Sequence, residues 1–221
     1  SILPVSLFIA ITASMIMSSL QPNRNTAVSR HFAAIAYTPS VRASQRRYGG
    51  RDLGEGLEEI IETPLAELGP REREFIAARD SFYLSTVSES GWPHVQHRGG
   101  PAGFLQVLAP DTLAFADLSG NRQYVSVGNL IRNDRAALIL MDYPNRRRLK
   151  ILGHVETFEL AAVNPNLLAK MKFSEGNVER IMLIRIAAFD WNCSRHITPR
   201  FTESEWQSRY SPLSATPITK E

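Results

Sequence analysis

The chain has little of what marks several common protein classes. It carries one cysteine, Cys193, among 221 residues, so it forms no internal disulfide and its stability has to come from packing. Its 13 glycines and 13 prolines follow no repeat, which excludes a collagen-like or low-complexity chain. It contains no glycine-rich phosphate fingerprint, which argues against a Rossmann-type sheet. With 43% hydrophobic and 21% charged residues, it is an ordinary globular chain.

Patterns for metal and nucleic-acid binding are also weak. His94 and His97 lie three residues apart, as do Cys193 and His196. Residues three apart on a strand point to opposite faces, so the two histidines of the first pair cannot easily share an ion. Basic and aromatic residues occur together, but without a recognition helix or a stripe of charge. We therefore predict no metal site and no nucleic-acid partner, although an anion- or nucleic-acid-binding module stays open as an alternative.

The N-terminal segment is the one long apolar run of the chain. Residues 2–20 carry no charge and approach the roughly 20 residues that a membrane helix needs. No Lys or Arg precedes the run, whereas a secretory signal begins with positive charge. We expect residues 1–30 to be an extension, either an apolar helix or disordered, of a cytoplasmic protein. A membrane anchor or an export signal through residues 2–20 is the alternative.

From Ser81 onwards the chain contains short segments with strand-like alternation, spaced by about ten residues and separated by turn residues. This spacing predicts an antiparallel barrel, and the fold class is mainly β with flanking helices, an α+β protein. The run Ala136–Tyr143 is wholly apolar up to its last two residues and is predicted to be a central strand buried on both faces. The predicted strands are Ser81–Ser88, Pro93–Arg98, Phe104–Leu108, Thr112–Asp117, Ala136–Tyr143, Arg147–Phe158 and Val178–Phe189. The predicted helices lie within His31–Tyr48, Leu57–Leu68, Arg71–Arg79, Tyr124–Ile131 and Asn166–Met171.

The stretch Ser119–Lys150 concentrates the positive charge of the protein. Seven basic and two acidic side chains give it a net charge of +5, whereas the whole chain has a net charge of +3. A basic cluster on an otherwise slightly acidic chain indicates a local anion site, most simply for a phosphate. The polar turn Asn121–Gln123 leads into a predicted helix, whose N-terminus adds partial positive charge.

At this point the sequence resembles a known family. The segments that carry the resemblance are FYLSTV, GWPHVQHRGG, TLAFADLSGNRQYVSVGNL, NDRAALILMDYPNRRRLKILGHVE and DWNCSRHITPRF. Together they are similar to the pyridoxamine 5'-phosphate oxidase-like flavin-binding proteins, in particular the branch of predicted flavin-nucleotide-binding proteins. The resemblance covers roughly His31 to Thr202. It implies a split β-barrel of the FMN-binding type and a homodimer that holds FMN at each end of its interface.

The resemblance also implies roles for individual residues. Arg98 resembles the strand arginine that meets the phosphate, and the turn-to-helix residues resemble those that hold the phosphate and ribityl chain. Two arginines lie near the contact with the partner subunit, and two late-strand residues lie near the flavin. The predicted cofactor-binding residues are Arg98, Asn121, Arg122, Gln123, Ser126, Arg147, Arg148, Trp191 and Asn192.

The C-terminal segment departs from the family pattern. The oxidase of vitamin B6 metabolism has an Arg-Leu-x-Pro type segment that holds its substrate, whereas this chain ends SPLSATPITKE. We therefore expect a split-barrel domain over residues 31–202 with its N-terminal helices, followed by a loose tail over residues 203–221. The predicted function is that of an FMN-dependent oxidoreductase acting on a small-molecule redox substrate, with no catalytic residue assigned. A non-catalytic flavin carrier or redox sensor is the alternative.

Overall fold

The structure, a computed structural model, describes residues 31–49, 67–173, 176–191 and 195–210. The chain divides into two compact units between Pro64 and Leu65. The described part of the first unit is helical at residues 31–36 and in helix α1, Pro39–Arg47. Proline is favoured in the first turn of a helix, and the Thr38 hydroxyl accepts a hydrogen bond from the Val41 amide at 3.4 Å. The first predicted helical segment is thereby confirmed, whereas most of Leu57–Leu68 lies outside the described residues.

The second unit is built on one antiparallel sheet of seven strands in the order β2-β1-β5-β6-β7-β4-β3. This arrangement confirms the predicted fold class. The strands are β1 Ser81–Val87, β2 Pro93–Gly99, β3 Gln106–Ala109, β4 Thr112–Leu118, β5 Arg135–Asp142, β6 Arg147–Glu159 and β7 Val178–Trp191.

Four α-helices flank the sheet in the described part of this unit, and a short 3-10 helix lies at Leu160–Ala162. The four α-helices are α2 Pro70–Ala77, α3 Val125–Arg132, α4 Pro165–Leu168 and α5 Glu203–Tyr210. Helix α5 occupies the start of the predicted loose tail, so that part of the prediction is wrong; the rest of the tail lies outside the described residues. Phe201, Trp206 and Tyr210 pack their rings together and give this helix an apolar contact. None of the helices in the described part of the chain has the length and apolar character to cross a membrane.

Strand β3 begins two residues later than the sequence predicts. Phe104 and Leu105 precede it and are both buried. The Phe104 amide donates to the Pro101 carbonyl at 2.9 Å, which closes a turn. These apolar residues therefore reach the core from a turn, a geometry that strand periodicity does not anticipate.

Strand β5 is buried on one face only. Its buried side chains alternate with half-buried ones, as in a sheet that packs one face on the core. Leu138 and Leu140 lie in the core, whereas Ala137 and Ile139 are partly exposed. The prediction of a strand buried on both faces is wrong for the single chain. A continuous apolar run does not distinguish the two cases, because alanine and isoleucine tolerate partial exposure.

The edge strands of the sheet are β2 and β3, and no backbone pairing joins them in the part of the chain that the structure describes. The sheet nevertheless curls on itself, as shown by Phe82 of β1, which packs edge-to-face on Phe115 of β4 with ring centroids 5.2 Å apart. Core side chains thus fill the opening between the two edge strands, which are not joined by backbone hydrogen bonds in the described residues. This is the split barrel that the sequence predicts.

Candidate functional site

A cavity of about 280 Å³ lies between strand β2, the end of β4, the turn that follows β4 and the start of helix α3. Five of the nine predicted cofactor-binding residues line it: Arg98, Asn121, Arg122, Gln123 and Ser126. Alternate residues of a strand share a face, so Gln96 lines the cavity together with Arg98. Residues that are separate in the sequence therefore meet around one space.

The turn after β4 has an unusual backbone. Gly120 has φ 44°, Arg122 has φ 58° and Tyr124 has φ 52°. Left-handed backbone favours glycine and is costly for arginine and tyrosine, and such residues cluster at ligand-binding turns. Two bonds hold the turn: the Arg122 amide donates to the Ser119 carbonyl at 3.1 Å, and the Gln123 amide donates to Asn121 Oδ1 at 3.2 Å.

Helix α3 begins at the cavity. Its N-cap residue, Tyr124, makes no side-chain hydrogen bond to the first turn, so the partial positive charge of that turn has no polar cap from this side chain. Ser126 is buried and its hydroxyl lies 3.1 Å from Gln96 Oε1. Asn129 donates to the Thr86 hydroxyl at 3.0 Å. These two bonds hold the helix against β2 and β1.

A buried carboxylate that sequence reasoning missed lies beside the cavity. Asp117 is the penultimate residue of strand β4, and its side chain is only 4% exposed. Arg98 Nη1 donates to Asp117 Oδ1 at 2.5 Å, and Arg180 Nη1 donates to Asp117 Oδ2 at 2.7 Å. The signal available in the sequence was an aspartate at the end of a wholly apolar strand, a position where a charge needs a partner.

A further group of polar contacts continues from Arg180 to the start of helix α3. Glu179 accepts from the Tyr124 hydroxyl at 2.9 Å and from Arg180 Nη2 at 3.0 Å. The Arg180 guanidinium lies 5.1 Å from the centroid of the Tyr124 ring, within cation–π range. Neither Glu179 nor Arg180 was predicted from the sequence as a site residue.

These contacts shift two pKa values. Burial lowers the pKa of Arg180, but the hydrogen bond and charge of Asp117, together with Glu179 and Glu159, outweigh it and raise the pKa above its ordinary value. The hydrogen bond to Glu179 is the main cause that raises the pKa of Tyr124. Arg180 therefore stays a cation and Tyr124 a neutral phenol at physiological pH.

The residues around the cavity fit a phosphate group. Arg98 keeps a donor, since its Nε is buried and has no hydrogen-bond partner within the described ranges. That Nε is itself buried, so what Arg98 offers an oxyanion is the part of its side chain that lines the cavity. Arg122 is exposed and lines the cavity, and Ser126 and Gln123 add hydroxyl and amide groups. Guanidinium, hydroxyl and amide donors beside a helix N-terminus are the set that phosphate oxygens need.

Three other predicted residues lie away from this cavity. The Arg147 guanidinium lies 5.0 Å from the centroid of the Trp191 ring and 5.2 Å from that of Phe75. Trp191 Nε1 donates to Glu72 Oε1 at 2.7 Å. Arg148 is half-buried, and its Nε has no hydrogen-bond partner in the described part of the chain. The ninth predicted residue, Asn192, lies outside the described residues.

One family model and several solved structures match the chain. A family model described as pyridoxamine 5'-phosphate oxidase matches residues 68–180. No curated protein matches the chain.

Among solved structures, the chain is similar to a protein from Lactobacillus delbrueckii titled a putative pyridoxamine 5'-phosphate oxidase. The two share 22% identity over 58% of this chain and 96% of that one, with a TM-score of 0.45. It is also similar to an F420 reductase, with 20% identity over 55% of this chain and 98% of that one and a TM-score of 0.39. General stress protein 26 from Bacillus anthracis shares 15% identity over 58% of this chain and 92% of that one, with a TM-score of 0.36.

Proposed function

Since the chain belongs to the pyridoxamine 5'-phosphate oxidase family, we propose that it is an FMN-binding split-barrel protein whose cavity holds the phosphate end of FMN. The observation that carries the proposal is that Arg98 of β2 and the four predicted residues within 121–126 line one cavity of about 280 Å³.

Each cavity residue has a part in the proposed binding. Arg98 and Arg122 supply guanidinium donors for the phosphate, and Gln123 supplies a neutral amide donor, whereas the Ser126 hydroxyl beside them donates to Gln96. Asn121 holds the turn through its bond to the Gln123 amide. The residues thus divide into those that face an anion and those that hold the backbone in place.

Bound FMN would supply an isoalloxazine ring that accepts and releases electrons, while the protein orients it and limits access of solvent. The proposed activity is that of an FMN-dependent oxidoreductase acting on a small-molecule redox substrate. No acid, base or nucleophile is assigned to it. A non-catalytic flavin carrier or redox sensor is the second proposal.

We further propose that the protein is a homodimer. On the sheet face away from the core, Val95 is 62% exposed and Tyr83 is 36% exposed. Strand register places Tyr83 beside Ile139 and Ser85 beside Ala137 on that face. An exposed apolar sheet face of this kind is typical of an interface. Sedimentation of the purified protein should give about twice the chain mass of 24.7 kDa, and a monomer at micromolar concentration would contradict the proposal.

The cofactor proposal is tested by purifying the protein and adding FMN to it. We expect flavin absorbance in the purified protein, or uptake of added FMN with quenching of its fluorescence. A protein that shows neither would remove the flavin proposals. If flavin is bound, anaerobic mixing with NADH or NADPH distinguishes the two proposals, because only an oxidoreductase that uses these donors bleaches the flavin.

A further inference from the structure

A side-chain bond closes the barrel at the place where the cavity lies. In the sheet order, four strands separate β2 from β4. At about 4.8 Å per strand, a flat sheet would hold these two strands roughly 24 Å apart. Arg98 of β2 nevertheless donates to Asp117 of β4 at 2.5 Å. This bond therefore spans the opening of the barrel, and the cavity lined by both residues lies across it.

Asp117 is held from both sides. Its direct register partner on β7 is Arg180, which occupies the second carboxylate oxygen at 2.7 Å. The side chains of Asp117 and Arg180 are 4% and 10% exposed, so the carboxylate and one guanidinium are largely withdrawn from water. Arg98 is 14% exposed and lines the cavity, so it is the member of this group that is placed to meet a ligand.

One carboxylate between two guanidinium groups leaves the group with a net charge of +1. Without Asp117, Arg98 would lose the carboxylate that pairs with it, whereas Arg180 would still pair with Glu179, so Arg98 would no longer be held in this orientation. With Asp117 present, Arg98 is fixed through Nη1, and its Nε is buried with no hydrogen-bond partner in the described ranges. The carboxylate thereby fixes the orientation of the guanidinium instead of consuming all of it.

We propose that Asp117 is a positioning residue, which holds Arg98 across the barrel opening so that Arg98, which lines the cavity, recognises a phosphate group there. This inference rests on the proposed function and adds to it a residue that determines ligand specificity. The Asp117–Arg98 pair makes the cavity prefer a phosphorylated ligand over the same ligand without phosphate.

The experiment compares FMN with riboflavin, which lacks the phosphate. Both affinities are measured by fluorescence quenching for the wild-type protein and for Asp117→Asn, which keeps the shape of the side chain and removes its charge. We expect wild type to prefer FMN, and Asp117→Asn to lose about tenfold to hundredfold of FMN affinity, as for a lost charge-assisted bond. Riboflavin affinity should stay within about twofold, because the change concerns the phosphate alone.

Several results would overturn the inference. If Asp117→Asn keeps the preference for FMN, the inference is wrong and the proposed function is unaffected. The same holds if the variant gains FMN affinity, or loses affinity equally for FMN and riboflavin. A wild-type protein without preference for FMN removes the proposed function as well. If Asp117→Asn does not fold, Asp117→Glu keeps the charge and shifts the carboxylate by one methylene; it should still lower the FMN preference, and an unchanged preference would contradict the proposal.

Discussion

Two arginine clusters in this unit are made of similar residues but have different surroundings. Around the cavity, Arg98 is held by a carboxylate on one side and keeps a donor, while Arg122 is exposed beside an open space. At the start of β6, Arg147 lies over Trp191, whose indole in turn donates to Glu72. The first cluster surrounds a cavity, and the second is packed on aromatic rings.

The difference indicates that positive charge alone does not identify a binding site. In the second cluster, the Arg147 cation–π contacts and the hydrogen bond from Trp191 to the buried Glu72 carboxylate hold helix α2 against the end of the sheet. Glu72 also accepts from the Gly69 amide at 3.1 Å, which caps the same helix. We therefore expect changes in the second cluster to affect stability first and changes around the cavity to affect ligand affinity first. The predicted roles of Arg147, Arg148 and Trp191 near the flavin stay predictions.

The largest expected effect comes from Trp191→Ala. The substitution removes the edge-to-face contact with Phe75 at 4.7 Å and leaves Glu72 without its indole donor. We expect the free energy of unfolding to fall by about 3 kcal/mol, the lower end for a large aromatic residue because Trp191 is half-buried. Chemical denaturation measures this loss.

The matched control for that variant is Trp92→Ala. Trp92 is 76% exposed at the β1–β2 turn, so its loss should change stability by less than about 0.5 kcal/mol. In folded Trp191→Ala, FMN affinity should change by less than about threefold. A tenfold loss of affinity would instead support the predicted contact of this ring with the flavin.

A smaller effect, on affinity and not on folding, is expected for Arg122→Ala. Removing an exposed donor from the cavity should weaken FMN binding by roughly 1.5–3 kcal/mol while the melting temperature stays unchanged. Calorimetric titration with FMN measures the change.

Arg132→Ala is the control for this variant, because Arg132 ends the same helix and pairs with Glu89 in an exposed ion pair. Such a pair contributes about 0–1 kcal/mol to stability and nothing to the cavity. Equal affinities for the two variants would contradict the role of Arg122 and remove the distinction between the clusters.

Much of the fold was predictable, because it depends on neighbouring residues. Pro39 and Pro70 each lie in the first turn of a helix, and Gly91 supplies the positive φ of the β1–β2 turn. Strand alternation, together with the continuous apolar run Ala136–Met141, locates all seven strands of the described sheet. The clearest errors have a common cause. The burial of β5 and the helix that follows Thr202 depend on what packs against them, which local periodicity does not contain.

The site shows the same division. The turn Asn121–Gln123 and the arginine of β2 were predicted because a polar turn before a helix is a local pattern. From the sequence, Asp117 is predictable only as the end of a strand, and Arg180 only as part of another strand. Their importance depends on each other and on Arg98, so neither was identifiable alone.

By itself, the sequence determines the strands, the turns and the donors that surround the cavity, since each depends on residues close in the chain. Tertiary structure alone decides that Arg98 meets Asp117, 19 residues away, and that Asp117 meets Arg180, 63 residues away. The physical reason is the curvature of the sheet. Twist accumulates over seven strands until the unpaired edges approach each other, and the buried carboxylate holds an arginine from each side of the opening.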